Sequence, residues 1–211
     1  IAGCLIIFCA IIISETKLSF LKKNNLKEEE RAWGIGKVHQ DPSKGVSPSL
    51  TILENLSLAD KKCEKFSLRN LIKKDKIKRF IEILKEVDLG LENKLNTQEK
   101  FLSGGQRQAL SLIMATLKKP KLLLLDEHTA ALDPKTSKVI MEKTKQLIDK
   151  QHITAMMISH NLRDAVQYAD RIIMLDKGKI ILDVESKKIT ESELVKIYNS
   201  KIEKEQMRAA G

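Results

Sequence analysis

Cysteine is scarce: Cys4, Cys9 and Cys63 are the only three, and no two stand in a C-x-x-C pair. Neither a disulfide framework nor a zinc site is suggested, and reduced, core-type thiols in a cytoplasmic protein are expected. Long apolar runs are missing as well. The longest, Ile1 to Ile13, is broken by Gly3 and falls short of the roughly 20 residues that a membrane-crossing helix needs. It resembles a signal-peptide core, yet no basic segment precedes it and no small-residue cleavage site follows before Glu15 and Lys17. Export is therefore rejected in favour of a buried helix end running into a strand. No internal repeat and no low-complexity tract occurs.

The 211 residues, 42% hydrophobic and 31% charged, suit one or two domains with a substantial core and are too apolar for a disordered chain. The first residue is Ile rather than Met, so a partial translation product is expected. Lys plus Arg exceed Asp plus Glu by 38 − 28 = +10. From Lys61 to Arg79, nine basic residues face only Glu64 and Asp75, so 9 − 2 = +7 lies in one stretch. Such a cluster can attract nucleic acid or anionic lipid, although a solvated helical face is the simpler reading.

Ile11 to Ile13 suit a strand, the polar stretch through Lys22 to Asn25 and Glu28 to Arg31 reads as surface, and Trp33 to His39 reads as a second short strand. Pro42, Gly45 and Pro48 mark a loop. From Thr51 to Phe101 the pattern is helical, with Ile77, Phe80, Ile81, Leu84 and Val87 on one face and Gly90 as the stop. Leu122 to Leu125 reads as a strand covered on both faces in a parallel sheet. Asp133 can cap the next helix, with Pro134 at its first position. Ile153 to Ile158 is a further strand. Arg171 to Leu175 and Lys179 to Val184 flank a hairpin turn, and Thr190-x-x-Glu193 is a capping box that opens a last helix. Alternating strands and helices predict an α/β sheet with helices on both faces.

Ser103-Gly104-Gly105-Gln106 has capping-box spacing, so a helix should begin at Ser103 and run through Leu110, Ile113, Met114 and Leu117. Two glycines at its mouth leave backbone N–H groups uncovered, which suits an anion, above all phosphate; a tight loop before a helix is an equal reading of these residues alone. Leu122 to Leu125 deliver Asp126 and Glu127 to the strand end where α/β sheets bind ligands. Alternation along a strand puts the two acids on opposite faces with different duties, one holding Mg²⁺ and one polarising a water. His160 and Gln40 each follow a strand; singly, each reads as structural. Together, three apolar strands release polar groups at one sheet edge.

These residues resemble the motifs of ATP-binding cassette (ABC) ATPases. Leu102-Ser103-Gly104-Gly105-Gln106 is similar to the signature motif, Leu122 to Glu127 to the Walker B strand, and Ala131-Leu132-Asp133 to the D-loop. Ser159-His160 resembles the switch histidine and Val38-His39-Gln40-Asp41-Pro42 the Q-loop. The wording from Asp126 to Pro134 is nearest to cassettes of the tryptophan/tyrosine type, which implies amino-acid uptake. The resemblance implies a P-loop NTPase-like α/β core with a mostly parallel sheet and an inserted helical subdomain. Residues 1–41 would be a partial first segment of the core, 42–101 the helical subdomain, and 102–211 the signature helix and the rest of the core.

It also implies roles. Glu127 would be the general base, Asp126 would serve Mg²⁺, His160 would contact the γ-phosphate, and Gln40 would sense Mg²⁺ and water. Ser103, Gly104, Gly105 and Gln106 would bind ATP held by the opposite protomer, and Asp133 would link the two sites. The implied cofactors are ATP and Mg²⁺. The implied partners are a second cassette (the same chain or a different one), integral membrane permease subunits and a solute-binding protein, at the cytoplasmic face of a bacterial plasma membrane.

One departure is large: no G-x-x-x-x-G-K-[ST] occurs in the sequence, so the loop that cradles phosphates is expected upstream of Ile1, and this stretch alone should not hold ATP. Two other readings compete. A nucleic-acid-associated ABC ATPase would use the +7 stretch, but 41–101 has no room for the coiled coils or lesion-binding domains of that class. An inert fragment of a transporter cassette is the third.

Overall fold

A computed structural model describes residues 6–11, 32–62, 71–176 and 178–209. Ile1 to Gly3, Ile12 and Ile13, the polar stretch before Ala32, and the Cys63 to Asn70 part of the basic stretch lie outside the described residues. In chain order the elements are β1 (Ile6–Ile11), β2 (Ile35–Val38), α1 (Ile52–Asp60), α2 (Lys74–Val87), α3 (Gly104–Thr116), β3 (Leu122–Asp126), α4 (Pro134–Gln151), β4 (Thr154–Ile158), α5 (Leu162–Tyr168), β5 (Arg171–Asp176), β6 (Lys179–Glu185) and α6 (Glu191–Ala209). No described helix is long and apolar enough to cross a membrane. The chain forms two compact units, Ser14–Thr154 and Ile1–Ile13 with Ala155–Gly211.

In the Ser14–Thr154 unit, helix starts are written in side chains. Thr51 accepts from the Glu54 N–H at 3.2 Å, and the Glu54 carboxylate accepts from the Thr51 N–H at 2.7 Å, a reciprocal cap that launches α1. Along α2, Phe80, Leu84 and Val87 are buried while Ile77 and Ile81 are half-buried, as the 3.6-residue period requires. The helix stops at Val87 rather than running to Gly90. Asp88 takes the left-handed conformation (φ 57°) and its N–H donates to the Lys85 carbonyl, an end that aspartate tolerates better than most side chains. Gly90, also left-handed at φ 70°, opens the 3-10 turn Leu91–Asn93 instead. Ile52, Leu56, Phe80 and Leu84 join Leu110 and Ile113 of α3 in one core.

Strands β2 and β3 run parallel, with Ile35 opposite Leu122 and Val38 opposite Leu125. Leu122, Leu123 and Leu125 are buried, which fits a strand covered on both faces. Gly36 is required by close approach. A Cβ there would stand 2.5 Å from the Ala115 carbonyl oxygen and 3.0 Å from the Pro120 ring.

In the other unit, β1 lies between β4 and β5 and is antiparallel to both, with Phe8 opposite Ile158 and Ile173. β6 is antiparallel to β5, across the expected turn, where Gly178 adopts φ 78°. The strand expected at Ile11 to Ile13 is described earlier, at Ile6–Ile11. Thr190 and Glu193 cap α6 reciprocally at 2.8 and 3.3 Å. The class is α/β as expected. The described parallel pairing is that of β2 with β3, and the strands of this second unit pair antiparallel.

Candidate functional site

Ser103 stands at the N-cap of α3. Its hydroxyl accepts from the Gln106 N–H and the Gln106 side-chain oxygen accepts from the Ser103 N–H, both at 3.3 Å. The Gln106 amide also donates to the Leu89 carbonyl at 3.0 Å, so this side chain pins the helix tip to the end of α2. Ser103 itself is exposed and Gly104 half-buried, which leaves the positive end of the α3 dipole open. Gly105 is buried for a different reason: a Cβ would collide with the Thr136 methyl of α4. Asp133 caps that helix, its carboxylate accepting from the Thr136 N–H at 3.0 Å. Hydrogen bonds from Thr136 hold the Asp133 carboxyl below the usual range.

β2 delivers the His39–Gln40 segment. The Gln108 amide of α3 donates to the His39 carbonyl at 3.2 Å, tying this loop to that helix. Gln40 is exposed. Asp41 accepts from the Ser43 N–H at 3.0 Å, capping the 3-10 turn Pro42–Lys44, and bonds from Ser43 lower its pKa.

β3 ends at Asp126, whose carboxylate lies 3.9 Å from the Lys37 ammonium of β2. The strand alternation that places Asp126 and Glu127 on opposite faces stops here, because Glu127 has left the strand. Its φ is 44°, a left-handed conformation that costs a non-glycine residue about 1–2 kcal/mol. Two observations account for its persistence. The Ala130 N–H donates to the Glu127 carbonyl at 3.0 Å, and the next residue is anchored. His128 is 2% exposed, with Nε2 at 3.2 Å from the Thr144 hydroxyl oxygen. Thr144 spends its one hydroxyl proton on the Ile140 carbonyl at 2.7 Å. It must therefore accept from His128, which fixes the Nε2–H tautomer of a neutral imidazole. Burial pushes the His128 pKa down to about 4.

An open cleft of about 450 Å³ is lined by Gln40, Asp41, Gly104, Arg107, Asp126 and His128, among others. It brings together three expected motif regions: the loop after β2, the tip of α3 and the end of β3. Ser103, Gly105 and Gln106 flank Gly104 in the chain, Glu127 sits between two lining residues, and Asp133 follows the lining residue Leu132. His160 belongs to the other unit and is exposed just beyond β4. Sequence reasoning missed Lys37, Arg107, His128 and Glu99. Glu99 is 1% exposed and 3.9 Å from the Arg107 guanidinium, and burial raises its pKa. No group of three or more His, Cys, Asp or Glu side chains able to hold a metal occurs among the described residues. Asp126 and Gln40 nevertheless offer two oxygen ligands to one cleft, which suits Mg²⁺, an ion that keeps waters and phosphate oxygens in its shell.

The family profile described as ABC transporter matches residues 10–130. A tyrosine transport ATP-binding protein of Clostridioides difficile is 48% identical over 163 residues, covering 77% of this chain and 64% of that protein. The chain thus spans just under two thirds of that relative's length. A phosphonates import ATP-binding protein, PhnC of Lactococcus lactis, is 32% identical, covering 90% of this chain and 75% of the relative. Among solved structures, the ATP-binding cassette MJ0796, a dimer in a post-hydrolysis state bound to ADP and Pi, aligns with TM-score 0.62 and 30% identity over 77% of this chain and 69% of that one. With these matches and the cleft geometry together, the chain belongs to the ABC transporter family, as an ATP-binding cassette.

Proposed function

We propose that this chain is the ATP-binding and ATP-hydrolysing cassette of a bacterial importer, powering uptake of an amino acid of the tyrosine or tryptophan type. The observation that carries the reading is the single cleft shared by Gln40, Gly104 and Asp126. The relatives support it: one is a tyrosine transport ATP-binding protein and another a phosphonates import ATP-binding protein.

In this reading Glu127 is the general base that orients and deprotonates the attacking water, and His160 contacts the γ-phosphate. Asp126 and Gln40 hold Mg²⁺, which when bound neutralises charge on the phosphates. Ser103, Gly104 and Gly105 present the α3 tip to ATP held by a second cassette, identical or different. Gln106 holds that tip in place through its cap and its bond to Leu89, and Asp133 joins the two sites. The dimer of MJ0796 with ADP and Pi supports the two-cassette arrangement. Residues 42–101 form the helical subdomain between the 1–41 and 102–211 parts of the core. Residues 51–101 adjoin Gln40 and, on that side, dock a membrane-embedded permease at the cytoplasmic face of the plasma membrane, with a solute-binding protein delivering cargo.

The sequence holds no G-x-x-x-x-G-K-[ST], so these residues contribute the base, the metal ligands and the signature tip but no phosphate cradle. The 211 residues alone are expected to release no phosphate from Mg²⁺-ATP. Fusing an ABC phosphate-loop segment ahead of Ile1 is expected to produce turnover. Steady turnover without that segment, or none with it, would overturn the assignment of roles.

A further inference from the structure

The described cations of the Lys61 to Arg79 stretch gather at the end of the Ser14–Thr154 unit opposite the cleft. Lys62 donates to the Ile35 carbonyl at 2.7 Å, where β2 starts. Arg79 donates to the Leu117 carbonyl at 3.3 Å, where α3 ends, and the Lys121 N–H donates to the Gly34 carbonyl at 2.9 Å. β2 leads away from this rim towards Gln40, and α3 leads away from it towards Gly104, so the rim and the nucleotide cleft occupy opposite ends of the same elements.

Two properties coincide there. The first is a concentration of positive charge. Asp60, its side chain 3% exposed, pairs with Lys76, with Arg79 at 3.3 Å and with Lys118 at 3.7 Å. Asp60 thus faces three cations, and Lys73, Lys74 and Lys119, with Asp75 the one exposed acid beside them among the described residues, are exposed next to these cations in the chain. The second is exposed apolar surface. Trp33, the only tryptophan in the sequence, is 53% exposed directly before Gly34, and Leu58 and Ile72 are 47% and 37% exposed. Leu58 is in the last turn of α1 and Ile72 just ahead of α2, elements joined at Asp60 and Lys73.

We propose that this rim docks on the surface of an anionic lipid bilayer. Lysines lie against headgroup phosphates, while Trp33, Leu58 and Ile72 enter the interfacial layer. A duplex nucleic acid would answer the charge but leave the aliphatic side chains without a role; a bilayer answers both. The inference does not use the nucleotide site, so it stands or falls separately from the proposed ATPase.

The test mixes the 211-residue chain with vesicles of phosphatidylcholine alone and with vesicles containing about a third phosphatidylglycerol. The expected result is a bound fraction at least about tenfold higher on the anionic vesicles, falling with added salt. Trp33 emission should shift to the blue and be quenched by bromine-labelled acyl chains. Lys73→Glu with Lys74→Glu places acids at the N-terminus of α2, where the helix dipole favours them, and should lower partitioning at least about tenfold. Lys135→Glu with Lys138→Glu removes the same charge from α4 beside Thr136, at the cleft end, and should leave partitioning within about threefold. Equal loss in both double variants would reduce the effect to net charge and overturn the proposal. So would an unshifted, unquenched Trp33, or retention on duplex DNA without binding to anionic vesicles.

Discussion

Glu127→Gln, in a cassette completed with a phosphate-binding loop, is expected to lower ATP turnover at least about 10²-fold while leaving ATP affinity unchanged. The amide keeps the size and shape of the carboxylate but cannot take a proton from water. What makes the substitution clean is the backbone around it. Glu127 holds a left-handed conformation at φ 44°, fixed by the Ala130 N–H and by the buried anchor of His128 on Thr144. Phosphate release at saturating ATP reads the turnover, and equilibrium titration with a fluorescent nucleotide reads the affinity. Unchanged turnover would remove Glu127 from the role of base.

A second large effect belongs to acid stability. His128 is neutral in the folded chain, with its pKa lowered by burial to about 4 from the ordinary 6.5. Above pH 6.5 both folded and unfolded chains carry it uncharged, and it contributes no pH dependence. Between pH 6.5 and about 4 the unfolded chain takes up a proton that the folded one refuses. Stability then falls by about 1.4 kcal/mol per pH unit, roughly 3 kcal/mol in all, and the loss levels off below pH 4. Glu99, whose pKa burial raises, works the other way, losing stability as pH rises through its folded pKa. The comparison must therefore be with His128→Gln, which can still donate to Thr144 but does not titrate. Urea unfolding of both proteins across this range should show the extra slope in the parent alone. Coincident profiles would contradict the buried neutral imidazole.

Local chemistry accounts for most of what the sequence discloses. The caps at Ser103, Asp133 and Thr190 are readable because each involves side chains and N–H groups within three residues. The burial of Phe80, Leu84 and Val87 follows from helical period alone. The three motifs meeting at the cleft are likewise local, since strand ends and helix tips carry them. The misreadings have non-local or backbone causes. α2 ends at Asp88 because aspartate, not the obvious Gly90, takes the left-handed position. Glu127 escapes strand alternation for a similar reason. The His128–Thr144 pair spans 16 residues and depends on how α4 packs, and the burial of Glu99 beside Arg107 depends on α3. No window of sequence shows either.

The most direct test of the two-cassette site is Gly104→Glu in a cassette that carries its own phosphate loop. A Cβ at this position meets only the tip of the Leu132 side chain, at 3.3 Å, so the fold can accept the change while a carboxylate blocks the open end of α3. The predicted result by sedimentation velocity is that each protomer still binds ATP but the ATP-dependent dimer no longer forms, and turnover is lost with it. A dimer that forms with ATP as before, hydrolysing at the parent rate, would contradict the role given to the Ser103–Gly104–Gly105 tip.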